Sequence, residues 1–153
     1  MALDVSEIAE VTSESPFPAG ALAVAFADGA SRGNPGDASY GCVYTTEDGE
    51  PLCGEALKLG KTTNNVAEYR GCIAALSRLK SWGVTRGVVR LDSELVVKQV
   101  NGLYKVRQEH LKPLVAQARE LRDGFVQMRI EHVRRAKNAL ADGLANAVLD
   151  GKR

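Results

Sequence analysis

Residues 21–37 read A-L-A-V-A-F-A-D-G-A-S-R-G-N-P-G-D. The apolar run Ala21 to Ala27 has strand length and is stopped by Asp28-Gly29. Ser31 to Asp37 is a turn cluster, in which Gly33 and Gly36 free the backbone and Pro35 stiffens it. Downstream, Tyr40–Thr46 and Leu52–Leu59 are strand candidates joined by the turn Glu47-Asp48-Gly49-Glu50. A helix then opens at Thr63 or Asn64. Its broad apolar face is Val66, Ala67, Gly71, Ile73, Ala74, Leu76 and Leu79, and Gly83 closes it. Gly87–Leu91 reads as a buried strand, after which Asp92-Ser93 opens a helix from Glu94 to about Val100. A further helix over Gln108–Arg122, a strand within Phe125–Val133 and a last helix over Asn138–Leu149 complete the order βββ-α-β-α-α-β-α. Three strands joined by hairpins, followed by helical crossovers, predict an α/β fold with a mixed sheet covered by helices.

The 153 residues suffice for one domain with a real core. Residues 1–20 differ in texture: Asp4, Glu7, Glu10 and Glu14 stand without a basic residue, and Pro16 and Pro18 follow. They are expected to form a mobile acidic tail on a domain spanning 21–153. The formal net charge of +1 announces no global field for nucleic acid, so such a partner must be held by local features. Cys42, Cys53 and Cys72 lack C-x-x-C spacing and are odd in number, which argues against zinc and against a disulfide framework. Buried thiols in a reducing compartment are expected instead. No apolar run approaches membrane-spanning length, no signal peptide is expected, and the cytoplasm is the expected location.

Four acids fall at telling places: Asp28 and Asp92 at strand ends, Glu68 and Asp142 in the first turns of helices. Ligands of open α/β sheets sit beyond the carboxyl ends of the strands, where these acids can converge. Clustered carboxylates raise one another's pKa, and a hard divalent cation removes that cost. An all-oxygen donor set suits Mg²⁺ or Mn²⁺, and two such ions suit phosphodiester hydrolysis. Singly, each acid has a plainer reading: a turn at Asp28-Gly29, a helix-dipole acid at Glu68, a cap at Asp92 and a solvated helix residue at Asp142.

Four motifs surround these acids: A-D-G-A-S-R-G-N-P-G (27–36), T-T-N-N-V-A-E-Y-R-G (62–71), L-D-S-E-L-V-V-K-Q-V-N-G (91–102) and H-V-R-R-A-K-N-A-L-A-D-G-L-A-N (132–146). In order and spacing they resemble type 1 ribonuclease H over Ala21 to about Asp150. The resemblance implies a five-stranded mixed sheet flanked by helices. It implies endonucleolytic hydrolysis of the RNA strand of RNA–DNA hybrids, leaving a 5′-phosphate and a 3′-hydroxyl. It also implies two Mg²⁺ or Mn²⁺ ions held by Asp28, Glu68, Asp92 and Asp142, with Asp28 bridging both. Gly29, Asn34, Asn64 and Asn65 match positions that read the RNA strand, and Lys61 and Thr63 match positions that grip a phosphate of the DNA strand. Asn64 and Asn65 also read as helix caps.

The chain departs from well-studied bacterial members in three places. Val133 runs directly to Asp142 without their histidine-bearing loop, leaving Arg134, Arg135 or Lys137 to supply positive charge near the scissile phosphate. His132 reads as a strand residue. The segment Gly102–Gln108 is too short for their basic protrusion, with Lys105 and Arg107 as its remnants, and Glu94 replaces a usually uncharged side chain. The pattern resembles a compact archaeal- and actinobacterial-like subgroup, and a monomer is expected. The competing reading is a catalytically weak or inactive module of the same fold that binds hybrids or double-stranded RNA.

Overall fold

A computed structural model describes residues 4–153. Its strands are β1 (Ala23–Gly33), β2 (Gly36–Thr45), β3 (Pro51–Thr62), β4 (Arg86–Leu91) and β5 (Gln127–His132). Its α-helices are α1 (Asn64–Ser81), α2 (Glu94–Val100), α3 (Lys112–Asp123) and α4 (Ala139–Leu149). The expected element order holds. The strands form one sheet in the order β3-β2-β1-β4-β5. β1, β2 and β3 pair antiparallel, whereas β4 pairs parallel with both β1 and β5.

Side chains alternate across β1. Ala23, Ala25 and Ala27 join the larger core, which also holds Leu76, Leu79, Val96, Val100, Val115 and Ala118 from α1, α2 and α3. Phe26, with Val43 of β2, packs against Leu140, Ala141 and Leu144 of α4 on the other face. The three cysteines are buried and unpaired, as expected.

Two expectations needed correction. The first concerns the turn cluster. β1 and β2 run through it, pairing as far as Gly33 with Gly36, so only Asn34-Pro35 forms the loop. Small and polar residues can continue a two-stranded ladder past the edge of the core, where no hydrophobic alternation reveals them. Gly33 takes φ +100°, and a side chain at Gly36 would strike the Arg32 carbonyl.

The second concerns the segment expected as a mobile tail. Its residues 4–20 lie against the domain. Ala9 O accepts from Gly54 N and Val11 N donates to Gly54 O, a short parallel bridge to β3. Ile8 is buried against α4, and Val11 and Phe17 pack on the larger core. Trp82 Nε1 donates to Thr12 O while its ring meets Phe17 and Tyr44 edge-on. Arg153, near the end of the chain, pairs with Glu10 at 2.7 Å and donates to Val5 O. These apolar anchors follow no helical or strand period, so composition alone conceals them.

Candidate active site

Parallel pairing of β1 with β4 ends at Ala27 and Leu91. The next residues, Asp28 and Asp92, therefore stand side by side where the strands part. They share the parity of Phe26 and Arg90, whose guanidinium lies 5.6 Å over the Phe26 ring. Ser93, not Asp92, caps α2, its Oγ accepting from Val96 N. The capping reading of Asp92 is thereby excluded.

Glu68 arrives from α1. The helix lies so close to β1 that a Cβ at Gly29 would be 2.4 Å from Ala67 C and Glu68 N. α4 approaches from the opposite face in the same way, since a Cβ at Gly41 would be 2.3 Å from Ala141 O. Missing side chains on β1 and β2 thus bring two helices, and the acids they carry, against the sheet. The carboxylates of Asp28, Glu68 and Asp92 lie within 4.8 Å of one another. Asp142 of α4 lines the same cleft of about 690 Å³.

Burial is the chief cause that pushes the Asp28 carboxyl far above the usual carboxylate range, reinforced by the charges of Glu68, Asp92 and Asp142. Burial likewise raises Glu68, with Asp92 adding to it, while hydrogen bonds from Asp28 and Gly29 and the charge of Arg135 pull it back. Glu68 Oε2 is buried with no hydrogen-bond partner. A buried acceptor with no donor, inside a cluster of like charges that has only oxygen ligands, fits a hard divalent cation.

These shifts predict a pH dependence. A carboxyl raised in the folded state stabilises the fold fully below its unfolded value near 4, and that contribution is lost as pH rises toward the folded value. In EDTA the melting temperature should therefore fall through neutral pH by roughly 4 °C or more. Saturating Mg²⁺ should flatten the decline. A pH-independent melting temperature in EDTA would contradict a cluster strained by its own charge.

The cleft is also lined by Gly29, Ser31, Asn34, Asn64, Ser93, Arg135 and Asn146. Thr63 caps α1, its Oγ1 accepting from Val66 N at 3.3 Å. Asn64 N donates to Asn34 Oδ1 at 3.0 Å, which ties α1 to the β1–β2 loop. The Asn64 and Asn65 side chains are therefore not the caps of this helix. Lys61 belongs to a neighbouring groove with Tyr40, Leu57, Val66 and Arg70. Asn65, Thr63 and Arg134 line neither space, and Arg134 is exposed. Sequence reading missed Asn146 as a contact of the cleft, although its spacing of four from Asp142 places both on one helix face. Arg32, which donates to Asn146 Oδ1, had no such signal.

A mixed sheet with acids at the parting of two parallel strands defines a ribonuclease H-like fold, and comparison with known proteins agrees. The chain matches the reverse transcriptase-like family over residues 26–148. It is 46% identical over 125 residues to a bifunctional protein of Mycobacterium tuberculosis, covering 81% of this chain and 34% of that one. It superposes on RNase H1 from Halobacterium salinarum with a TM-score of 0.82 and 42% identity, over 85% of this chain and 98% of the other. LC11-RNase H1 in complex with an RNA/DNA hybrid gives a TM-score of 0.79 and 40% identity, over 84% and 97%. The chain spans about a third of the length of the mycobacterial relatives it matches. The chain belongs to the ribonuclease H type 1 family. No helix among the described residues is long and apolar enough to cross a membrane.

Proposed function

We propose that this chain is an endoribonuclease that hydrolyses the RNA strand of RNA–DNA hybrids. The observation that carries the reading is the convergence of Asp28, Glu68 and Asp92 around the unpartnered Glu68 Oε2, in a chain of this family. Asp28, Glu68, Asp92 and Asp142 are the residues that would hold two Mg²⁺ or Mn²⁺ ions. Bound there, the ions supply the Lewis acidity and the activated water that phosphodiester hydrolysis requires.

The chain's own groups bind and orient the nucleic acid. Asn34 and Asn64, tied by the Asn64 N–Asn34 Oδ1 hydrogen bond, line the cleft beside the Gly29 backbone and, with Asn65 outside it, would meet the RNA 2′-hydroxyls. Lys61, which lines the neighbouring groove, and Thr63 at the start of α1 are the residues that would grip a phosphate of the DNA strand. Arg135 lines the cleft and sets positive charge opposite the acids, where the scissile phosphate gains charge. Arg134 adds charge outside it. Water adds to phosphorus and the bond to the 3′-oxygen breaks, leaving a 3′-hydroxyl and a 5′-phosphate. The likeness to a structure solved with an RNA/DNA hybrid supports this choice of substrate. Buried free thiols accord with a reducing cytoplasm.

The test is cleavage of an end-labelled hybrid alongside matched RNA and DNA duplexes. Hybrid cleavage with Mg²⁺ or Mn²⁺, and none in EDTA, is expected. Binding of hybrid without cleavage in either metal would replace the hydrolase with the binding-module reading.

A further inference from the structure

Asp142 stands apart from its three fellow acids. They crowd within 4.8 Å around the parted strands, whereas Asp142 reaches the cleft from α4. One helical turn on, Asn146 Nδ2 donates to both Asp142 Oδ1 (3.2 Å) and Asp142 O (3.0 Å). The other end of that amide, Oδ1, accepts from Arg32 Nη2 at 3.3 Å. A guanidinium only donates, so Arg32 can face only the amide oxygen, and the NH₂ is thereby turned toward Asp142. Arg32 is held in turn by Asp150, with Nη1 to Oδ1 at 2.6 Å. The bracket runs from the β1–β2 arm to α4 and back to the fourth acid.

Both partners of the outer ion pair face water, with side chains 46% and 40% exposed. Such pairs contribute little to stability. What the bracket changes is the direction of one carboxylate. Resting on the reading of the four acids as cation ligands, we infer that Asn146 and Arg32 are positioning residues: they aim Asp142 into the cleft and so set how tightly a divalent cation is held on that side. Without the amide, Asp142 is free to turn toward solvent, and the cation loses a preorganised ligand. Partners that orient metal ligands typically govern affinity by about 10- to 100-fold.

The experiment is a Mn²⁺ titration of the full chain without nucleic acid, read by electron paramagnetic resonance, with Asp142→Asn identifying the sites that depend on this acid. Asn146→Ala should weaken those sites about tenfold. Arg32→Ala should weaken them in the same direction by less, and should add nothing in the Asn146→Ala background, because both act on one carboxylate. Arg32→Lys, which keeps a donor, should restore most of the loss. Melting temperatures should stay within about 2 °C of the parent, as expected of an exposed pair. Unchanged Mn²⁺ affinity in Asn146→Ala and Arg32→Ala, or additive losses from the two, would overturn the inference. So would an effect confined to KM for hybrid, which would make Arg32 a direct nucleic-acid contact. Because no nucleic acid enters the titration, its failure is distinct from a failure of the wild type to cleave hybrid.

Discussion

Asp28→Asn is expected to abolish hybrid cleavage, by at least about a thousandfold or roughly 4 kcal/mol of transition-state stabilisation, while making the metal-free protein more stable. The two effects have one cause. Asp28 is 4% exposed and surrounded by Glu68, Asp92 and Asp142. Its charge is costly without a cation, and on the proposed reading it is what holds the ions. An amide keeps the shape and removes the charge. At neutral pH in EDTA the gain should be on the order of 2 kcal/mol, or about 4–8 °C in melting temperature. In saturating Mg²⁺ the difference should shrink or reverse, since only the parent gains bound ions. Cleavage assays and melting curves on the same preparations check both. Near-normal cleavage would remove Asp28 from the centre of the site. Cleavage lost together with a lower metal-free melting temperature would mean that Asp28 supports the fold rather than the chemistry.

Gly29→Ala should be damaging for a different reason. The added carbon would meet backbone atoms of α1 at 2.4 Å, and no rotamer relieves a clash with backbone. α1 must withdraw by about 1 Å to reach ordinary contact. Overpacking of this kind costs about 1–3 kcal/mol, so the melting temperature should drop by roughly 3–10 °C. Glu68 moves with the helix. A displacement of about 1 Å at a catalytic group is worth about a hundredfold in rate. Steady-state kinetics should show the loss chiefly in kcat, through Glu68, with a smaller rise in KM, because Asn64 rides on the same helix and Gly29 borders the cleft. A variant with parental melting temperature and kcat would show that strand and helix have room to spare.

The sequence determined a large part of this protein by itself. Periodicity along the chain set the element order, because alternation in strands and the three-to-four spacing in helices are local properties. The same locality marked Asp92 at a strand end and Glu68 and Asp142 in early helical turns; Asp28, expected to end its strand, instead lies within β1, where only the pairing with β4 stops. The motifs around them marked the family.

Tertiary structure decided what depends on distance through space. No local pattern distinguishes a glycine in a turn from Gly29 or Gly41, whose missing side chains admit α1 and α4 to the sheet. Nor does one show that Ile8, Val11 and Phe17, scattered through an acidic proline-containing stretch, find partners on β3, α4 and Trp82. The elevated carboxyls of Asp28 and Glu68 arise from burial and mutual charge, quantities that exist only once four segments meet. The Arg32–Asn146 bracket joins residues 114 positions apart. The chain order supplied the acids; the packing of two helices against a split in the sheet brought them together and left Glu68 Oε2 without a donor in a cluster that could hold a cation.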